Sequence, residues 1–365
     1  MAGCLNDVTR RGLLAVACGM SSGIVRAQQP QPVRLPRRVR VAVLGLEGHV
    51  GEILDSLKSL PDVGLVAISD RDPNLRRKIR QRPGLESALE FADHRELLEK
   101  CKLDVAGICG GNGERADLIL ACAQRKLHVV AEKPLAIERD QLERVKEAVL
   151  HNGIRITMLL PMRFWPAFQT IQQVVRSGKI GEVAQVAAQK SYKLEARPDW
   201  MKKQATFGGI FPYIGIHMLD LLRFATGLEV VEVASLQSRV GHSELQEMED
   251  TSVSIFGLAN GANASIRLDY LRPDNAATHG DDRFRIAGTR GIVEYREGSG
   301  VTLLTADHEQ QTLQAASSTP GLFVDFLESV YAGKPAGLTA QDCYIANQVV
   351  LSTREAAKAH RLIRL

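Results

Sequence analysis

The sequence predicts a doubly wound α/β domain, with a parallel sheet and helices on both faces. An α+β domain built on a large, mainly antiparallel open sheet is predicted to follow it. Three observations lead there. Between residues 39 and 160, short apolar runs alternate with helix-length segments, the grammar of βαβ units. From about residue 167 the strands lengthen and follow one another through turns such as Ala259-Asn260-Gly261. A chain of 365 residues is also long enough for two substantial cores.

Each element has its own signal. Strand 39–44 runs into a glycine-rich turn and a helix reaching about residue 60. Strand 64–69 precedes a charged helix opening near Pro73, and Asp93 is placed as N-cap of a helix over 95–100. Strand 103–109, helix 114–124, strand 128–131, helix 138–151 and strand 154–160 complete the alternation. The second part begins with helix 167–177, closed by Gly178. Strands are expected at 182–193, 230–239, 251–258, 262–270, 283–286, 292–296 and 301–305, then helices at 321–331 and 340–360. The domain boundaries read as 1–27, 28–38, 39–160 and 161–365, the second being a Pro/Arg-rich linker or arm.

The N-terminus reads as an address. Thr9-Arg10-Arg11-Gly12-Leu13-Leu14 is a twin-arginine pattern, followed by a weakly apolar stretch and a small-residue cleavage pattern at Val25-Arg26-Ala27. It implies export, folded, to the periplasm; a disordered basic tail on a cytoplasmic protein is the alternative. The stretch is too short and too rich in Gly and Ser for a stable membrane anchor. The net charge of +4 comes from this end: residues 41–365 hold 39 basic and 41 acidic side chains, a balance that offers nothing to nucleic acid. Cys101, Cys109, Cys122 and Cys343 follow the leader without a C-x-x-C and read as buried thiols. Neither H-E-x-x-H, a Cys/His cluster nor G-x-S-x-G occurs, so neither metal nor serine-hydrolase chemistry is indicated.

Chemistry enters through the glycine turn. Gly45-Leu46-Glu47-Gly48-His49-Val50-Gly51 spaces its glycines as G-x-x-G-x-x-G, so Gly45 and Gly48 are the candidates for close approach to a pyrophosphate. The usual second glycine falls at Glu47, whose carboxylate opposes a phosphate unless it turns away. Asp70 closes the second strand, placed either to accept ribose hydroxyls or to cap the next helix. Arg71 beside it tolerates a 2′-phosphate, so NAD is preferred over NADP without excluding it.

Several blocks, taken in order, resemble the glucose–fructose oxidoreductase / inositol dehydrogenase (Gfo/Idh/MocA) family over residues 39–365. They are Leu103-Asp104-Val105-Ala106-Gly107-Ile108 with Asn112, Lys126 through Ala131-Glu132-Lys133-Pro134-Leu135-Ala136, Arg163-Phe164-Trp165-Pro166, and Gly208-Gly209 through Gly215-Ile216-His217 and Asp220. The resemblance implies a Rossmann domain and a hydride-transfer site. It makes Lys133 the cation touching nicotinamide and substrate, and His217 the acid/base. Asn112, Glu132 and Arg163 join the cofactor cleft on the same basis. Asp220 is expected to orient the His217 ring or to support the helix, and Trp200 to stack on a sugar face or pack in the core. The family's aspartate in D-x-G-x-H is Tyr213 here, which either joins the proton relay or marks altered chemistry. Gly110-Gly111 and Arg115 depart from the pattern as well.

The expected function is NAD(P)-dependent oxidation or reduction of a sugar, cyclitol or related polyol with a tightly held cofactor. NAD-dependent glycoside cleavage and a non-catalytic binding role are the alternatives. A homodimer or tetramer is expected.

Overall fold

Val39–Leu44, almost wholly buried, forms the central strand β1 of the first sheet. The structure is a computed structural model describing residues 32–365; the leader and its cleavage pattern lie outside the described residues. Around β1 the chain lays down α1 (Val50–Leu54), β2 (Val63–Ser69), α2 (Pro73–Arg80), β3 (Leu89–Phe91), α3 (His94–Lys100), β4 (Val105–Ile108), α4 (Asn112–Gln124), β5 (His128–Ala131), α5 (Arg139–Asn152) and β6 (Ile156–Met158). The strands pair in the order β3-β2-β1-β4-β5-β6, all parallel. Strand order therefore reverses between β1 and β4, which opens a crevice at their carboxyl ends.

The chain continues through α6 (Pro166–Arg176), β7 (Val183–Lys193), α7 (Gln204–Phe207), a π-helical turn at Phe211–Gly215 and α8 (Ile216–Thr226). Then come β8 (Val230–Ser238), β9 (Thr251–Leu258), β10 (Asn263–Arg272), β11 (Arg283–Gly288), β12 (Gly291–Arg296), β13 (Gly300–Thr305), β14 (Gln311–Leu313), α9 (Leu322–Tyr331), α10 (Ala340–Ala359) and β15 (Ile363–Arg364). Nine strands form the second sheet in the order β14-β13-β12-β11-β7-β10-β9-β8-β15, antiparallel except for the β7–β10 pair. Residues 32–365 make one compact unit.

Asp93 caps α3, accepting from the amides of Arg95 and Glu96, as its position predicts. The first helix is shorter than expected: α1 stops at Leu54 and a 3₁₀ turn, Ser56–Ser59, finishes the segment. The short edge strands β3, β14 and β15 escape sequence reading because two or three residues show no alternation. The segment Gln204–Thr226 is long and apolar enough to cross a membrane, yet it is mostly buried inside the protein, where its side chains supply core.

Candidate active site

Two loops meet at the crevice between β1 and β4. Gly45, at φ +80°, has no side chain, and a Cβ there would collide with the backbone of Gly110 in the β4–α4 loop. Gly45 N–H donates to Ser69 O (2.7 Å) and Glu47 N–H to Cys109 O (2.9 Å), which fixes the turn against β2 and β4. The second close approach is at Gly48, where a Cβ would strike the Glu132 carboxylate. The turn is thus one residue longer than the common pattern; Gly48 packs on Glu132, while Glu47 lies in the wall of the cleft. Its carboxylate turns aside to accept the Trp200 indole N–H (3.0 Å). Burial raises the Glu47 pKa and outweighs that hydrogen bond.

Asp70 is not the cap of α2; Asp72 is, accepting from Asn74 N–H. Asp70 instead accepts from the amides of Leu46 (2.9 Å) and Asp72 (2.8 Å), so it braces the glycine turn. Arg71 is exposed, 3.7 Å from Glu114. Gly45, Glu47, Asp70, Arg71, Gly110 and Trp200 are among the walls of a cleft of about 470 Å³. This cleft, with its side-chain-free floor and an acid at the end of β2, has the makings of a dinucleotide site.

Lys133 and Glu132 leave the carboxyl end of β5, and the Lys133–Pro134 bond is cis. Glu132 is buried and fully engaged. It accepts from His49 twice, from the backbone N–H and from ring Nδ1 (2.7 Å), and from Lys133 N–H (3.0 Å). Burial raises its pKa, but the charges of His49, Lys133 and Arg115 prevail and hold it well below the usual carboxylate range. The Lys133 side chain is 4% exposed, and its Nζ lies 3.4 Å from the centre of the Tyr213 ring. Among the described residues no carboxylate stands within ion-pair distance of it. Burial, helped by Arg115, Lys190 and Arg197 and opposed by Glu132, lowers its pKa to about 7.

His217 enters from the first turn of α8. That turn packs closely because Gly215 leaves only 2.8 Å between its would-be Cβ and Leu268. The His217 ring meets His49 edge-on, centroids 5.1 Å apart, and its buried Nδ1 has no hydrogen-bond partner. Burial, then His49, Lys190 and Lys133, drive its pKa well below that of free imidazole, so it is a neutral acceptor. Tyr213, in the π-helical turn, is pushed up to about 12, mainly by burial, and stays a neutral donor.

Three expected site residues are engaged away from the cleft. Arg163 does not line it, and Asp220 takes the second of its two expected roles, supporting the helix rather than orienting His217: the two form a buried ion pair through Arg163 Nε (3.0 Å) and Nη2, with Arg163 Nη1 on Gly337 O. No hydrogen bond joins Asp220 to the imidazole, whose Nδ1 has no partner. Asn112 spends its amide internally, donating to Phe207 O (2.7 Å) and accepting from Arg115 (2.9 Å). Arg115 also reaches Pro134 O and Gly110 O, tying the β4–α4 loop to the lysine turn. Trp200 is half-buried rather than core. Its ring lines the cleft and meets Tyr213 edge-on at 6.0 Å, so the contacts from cleft to lysine run Trp200, Tyr213, Lys133.

Sequence reading missed His49, Lys190, Asp282 and Arg197. Lys190 is 2% exposed, with Nζ 2.5 Å from both Asp282 Oδ2 and Tyr192 OH. Its signal was available: Val186, Ala188 and Lys190 alternate on one face of β7, and a lysine on a core-facing register needs a buried partner.

Residues 39–159 match the model of an oxidoreductase family with an NAD-binding Rossmann fold, and residues 168–294 match the GFO/IDH/MocA C-terminal domain. The chain belongs to the Gfo/Idh/MocA family. A solved Thermotoga maritima protein described as an oxidoreductase shares 30% identity at TM-score 0.84, covering 90% of this chain and 100% of that one. Myo-inositol 2-dehydrogenase of Thermotoga maritima is 25% identical over 90% of this chain and 98% of its own length. An aldose–aldose oxidoreductase from Caulobacter crescentus, solved with glycerol, has the same fold at TM-score 0.78 and 20% identity, covering 90% and 100%. This Gfo/Idh/MocA chain is therefore an NAD-binding oxidoreductase, with its Rossmann half ahead of the nine-stranded sheet.

Proposed function

We propose that the protein transfers hydride between NAD and the secondary alcohol carbon of a sugar, cyclitol or related polyol, with the cofactor tightly held. The observation that carries this reading is the shared burial of Lys133 and His217. One is a cation without a carboxylate partner, the other a neutral imidazole with a free nitrogen. The names of the Thermotoga and Caulobacter relatives support polyol substrates.

Bound NAD would supply the hydride acceptor at its nicotinamide ring, with Gly45, Gly110 and Asp70 lining the cleft that would seat it. In the oxidative direction His217, neutral at pH 7, takes the hydroxyl proton. Lys133 donates to the same oxygen and stabilises the charge that develops there. Tyr213 holds the lysine over its ring and offers a hydroxyl to the relay. Asp70 favours NAD over NADP, since a carboxylate repels a 2′-phosphate.

The twin-arginine pattern supports export of the folded protein with NAD already in place. The face of the nine-stranded sheet carrying exposed Leu236, Val253 and Ile255 supports a homo-oligomer. Native mass spectrometry of the purified chain tests the cofactor: retained NAD(H) is expected. Loss of all cofactor, together with no NADH formed from any polyol, would refute the proposal.

A further inference from the structure

His217 lacks a route of its own for the proton it would take up. The residue is 5% exposed, and its buried Nδ1 has no partner. Among the described residues no carboxylate stands within ion-pair distance of its ring. Burial, with the charges of His49, Lys190 and Lys133, makes the imidazolium form costly there. One side chain leads from this ring to water. The His49 ring meets His217 edge-on, centroids 5.1 Å apart and planes at 66°, and the His49 side chain is 32% exposed. His49 stands at the N-cap of α1, where the lengthened glycine turn ends. A Cβ on Gly48 would take the place of the Glu132 carboxylate, so that glycine lets the turn lie against it. Glu132 then accepts from both the backbone N–H and the ring Nδ1 (2.7 Å) of His49. The other acid at this turn, Glu52, donates its backbone N–H to His49 O (2.9 Å), and its carboxylate makes no bond to the ring.

The two imidazoles are therefore unlike. A carboxylate on Nδ1 fixes the Nδ1–H tautomer of His49 and leaves Nε2 as its acceptor. The same carboxylate stabilises the imidazolium that forms when Nε2 takes a proton. His217 has no such support. We propose that His49, held by Glu132, is the outlet through which the proton abstracted by His217 reaches water. The substrate hydroxyl gives its proton to His217 as hydride leaves the same carbon for NAD. The His217 imidazolium passes one proton to Nε2 of His49, by a turn of either ring or across one water, and returns to neutral. His49 then gives that proton to solvent. In the reductive direction the same route runs inward. His49 acts through His217 and touches no reacting atom, so it is a positioning residue for the proton. It is also not among the walls of the cleft that would seat NAD. The inference rests on the hydride-transfer reading for the source of the proton, and on the two rings for its route.

The test has one arm without substrate and one with it. His49→Asn keeps an amide N–H for Glu132 and removes Nε2; His49→Ala leaves a space that free imidazole can fill. In the full chain, isotopically labelled in its histidine rings, exchange of the His217 ring N–H with water is followed by NMR. Exchange should slow by about 10²-fold in His49→Asn, the low end of what a positioned proton-transfer group provides, and slowing under about threefold overturns the inference. In the second arm the full chain loaded with NAD is mixed with myo-inositol or glucose in weak buffer containing a pH indicator, so that NADH and proton release are read together. The two keep step in the wild type. In His49→Asn proton release should lag behind NADH. In His49→Ala added imidazole should remove the lag, whereas pyrazole, similar in size but hardly basic, should not. A purely structural role for His49 would slow NADH and proton together and ignore imidazole. Proton release that keeps step with NADH in both variants overturns the outlet. Slowed N–H exchange in His49→Asn without NADH from any polyol sinks hydride transfer and leaves the outlet standing. NADH formed with neither slowed exchange nor a lag does the reverse.

Discussion

Replacing Lys133 with methionine should make the cofactor-free protein more stable near pH 6 while removing its chemistry. The lysine pKa is lowered in the folded state to about 7, chiefly by burial, from an ordinary value of 10.5. Below pH 7 both folded and unfolded chains carry the charge, and the folded state bears the full burial penalty. Between pH 7 and 10.5 the unfolded chain binds the extra proton, so stability rises with pH through that window. A gap of this size corresponds to a ceiling of about 4–5 kcal/mol at pH 6, shrinking to about 1 kcal/mol at pH 9.5. Methionine also forfeits the contact with the Tyr213 ring, worth about 1–2 kcal/mol when desolvated. Glu132 loses one of its cations but keeps His49 and Arg115. A net gain of about 2–3 kcal/mol at pH 6 remains, which should vanish or change sign by pH 9.5. Urea unfolding of the cofactor-free wild type and Lys133→Met at the two pH values measures it. A variant no more stable than wild type at pH 6, or a difference that ignores pH, would refute the picture of an uncompensated buried cation.

His217→Asn should keep bound NAD and lower kcat by about 10²–10⁴, the usual worth of a general acid/base; a change under about threefold would remove His217 from that role. If oxidation needs neutral His217 and charged Lys133, kcat/KM should be flat through mildly acidic pH and fall above about pH 7, because His217 is held well below its ordinary pKa and Lys133 near 7. Lys133→Arg should move that falling limb upward in whatever activity it retains; a limb that stays put assigns it to another group. Arg163→Met and Asp220→Leu each break the buried ion pair and should destabilise the protein by about 3–5 kcal/mol, with Arg163→Met/Asp220→Leu losing less than the sum. Additive losses in that cycle would mean the two side chains act independently.

The parts of this molecule that were legible in the sequence are those written in local pattern. The six-stranded parallel sheet follows from strand–helix alternation, and the Asp93 cap from one residue type at one position. Lys133 and His217 were found through the blocks around them, and the fold brings them to one buried cluster. Partnerships across long separations left no such trace. Arg163 and Asp220 lie 57 positions apart, and His49 and Glu132 lie 83 apart; nothing in either neighbourhood announces the other. Glu47 illustrates the same limit. Counting positions made it an intruder on the pyrophosphate; the fold does put it in the cleft wall, but with its carboxylate hydrogen-bonded by Trp200, a residue 153 positions away.

Tyr213 is where local pattern and tertiary chemistry bear on each other most directly. An aspartate at that place would pair with Lys133 and keep it charged at any neutral pH. The phenol offers only the face of its ring, an attraction of about 1–2 kcal/mol that is too small to offset burial beside three other cations. The lysine consequently sits near its titration point, and its charge depends on what enters the pocket. A ligand that brings negative charge, or develops it on the reacting oxygen, restores the proton at the moment it is needed. The substitution of phenol for carboxylate therefore does not by itself abolish the site. It transfers control of the Lys133 charge from the protein to whatever charge develops on the reacting oxygen.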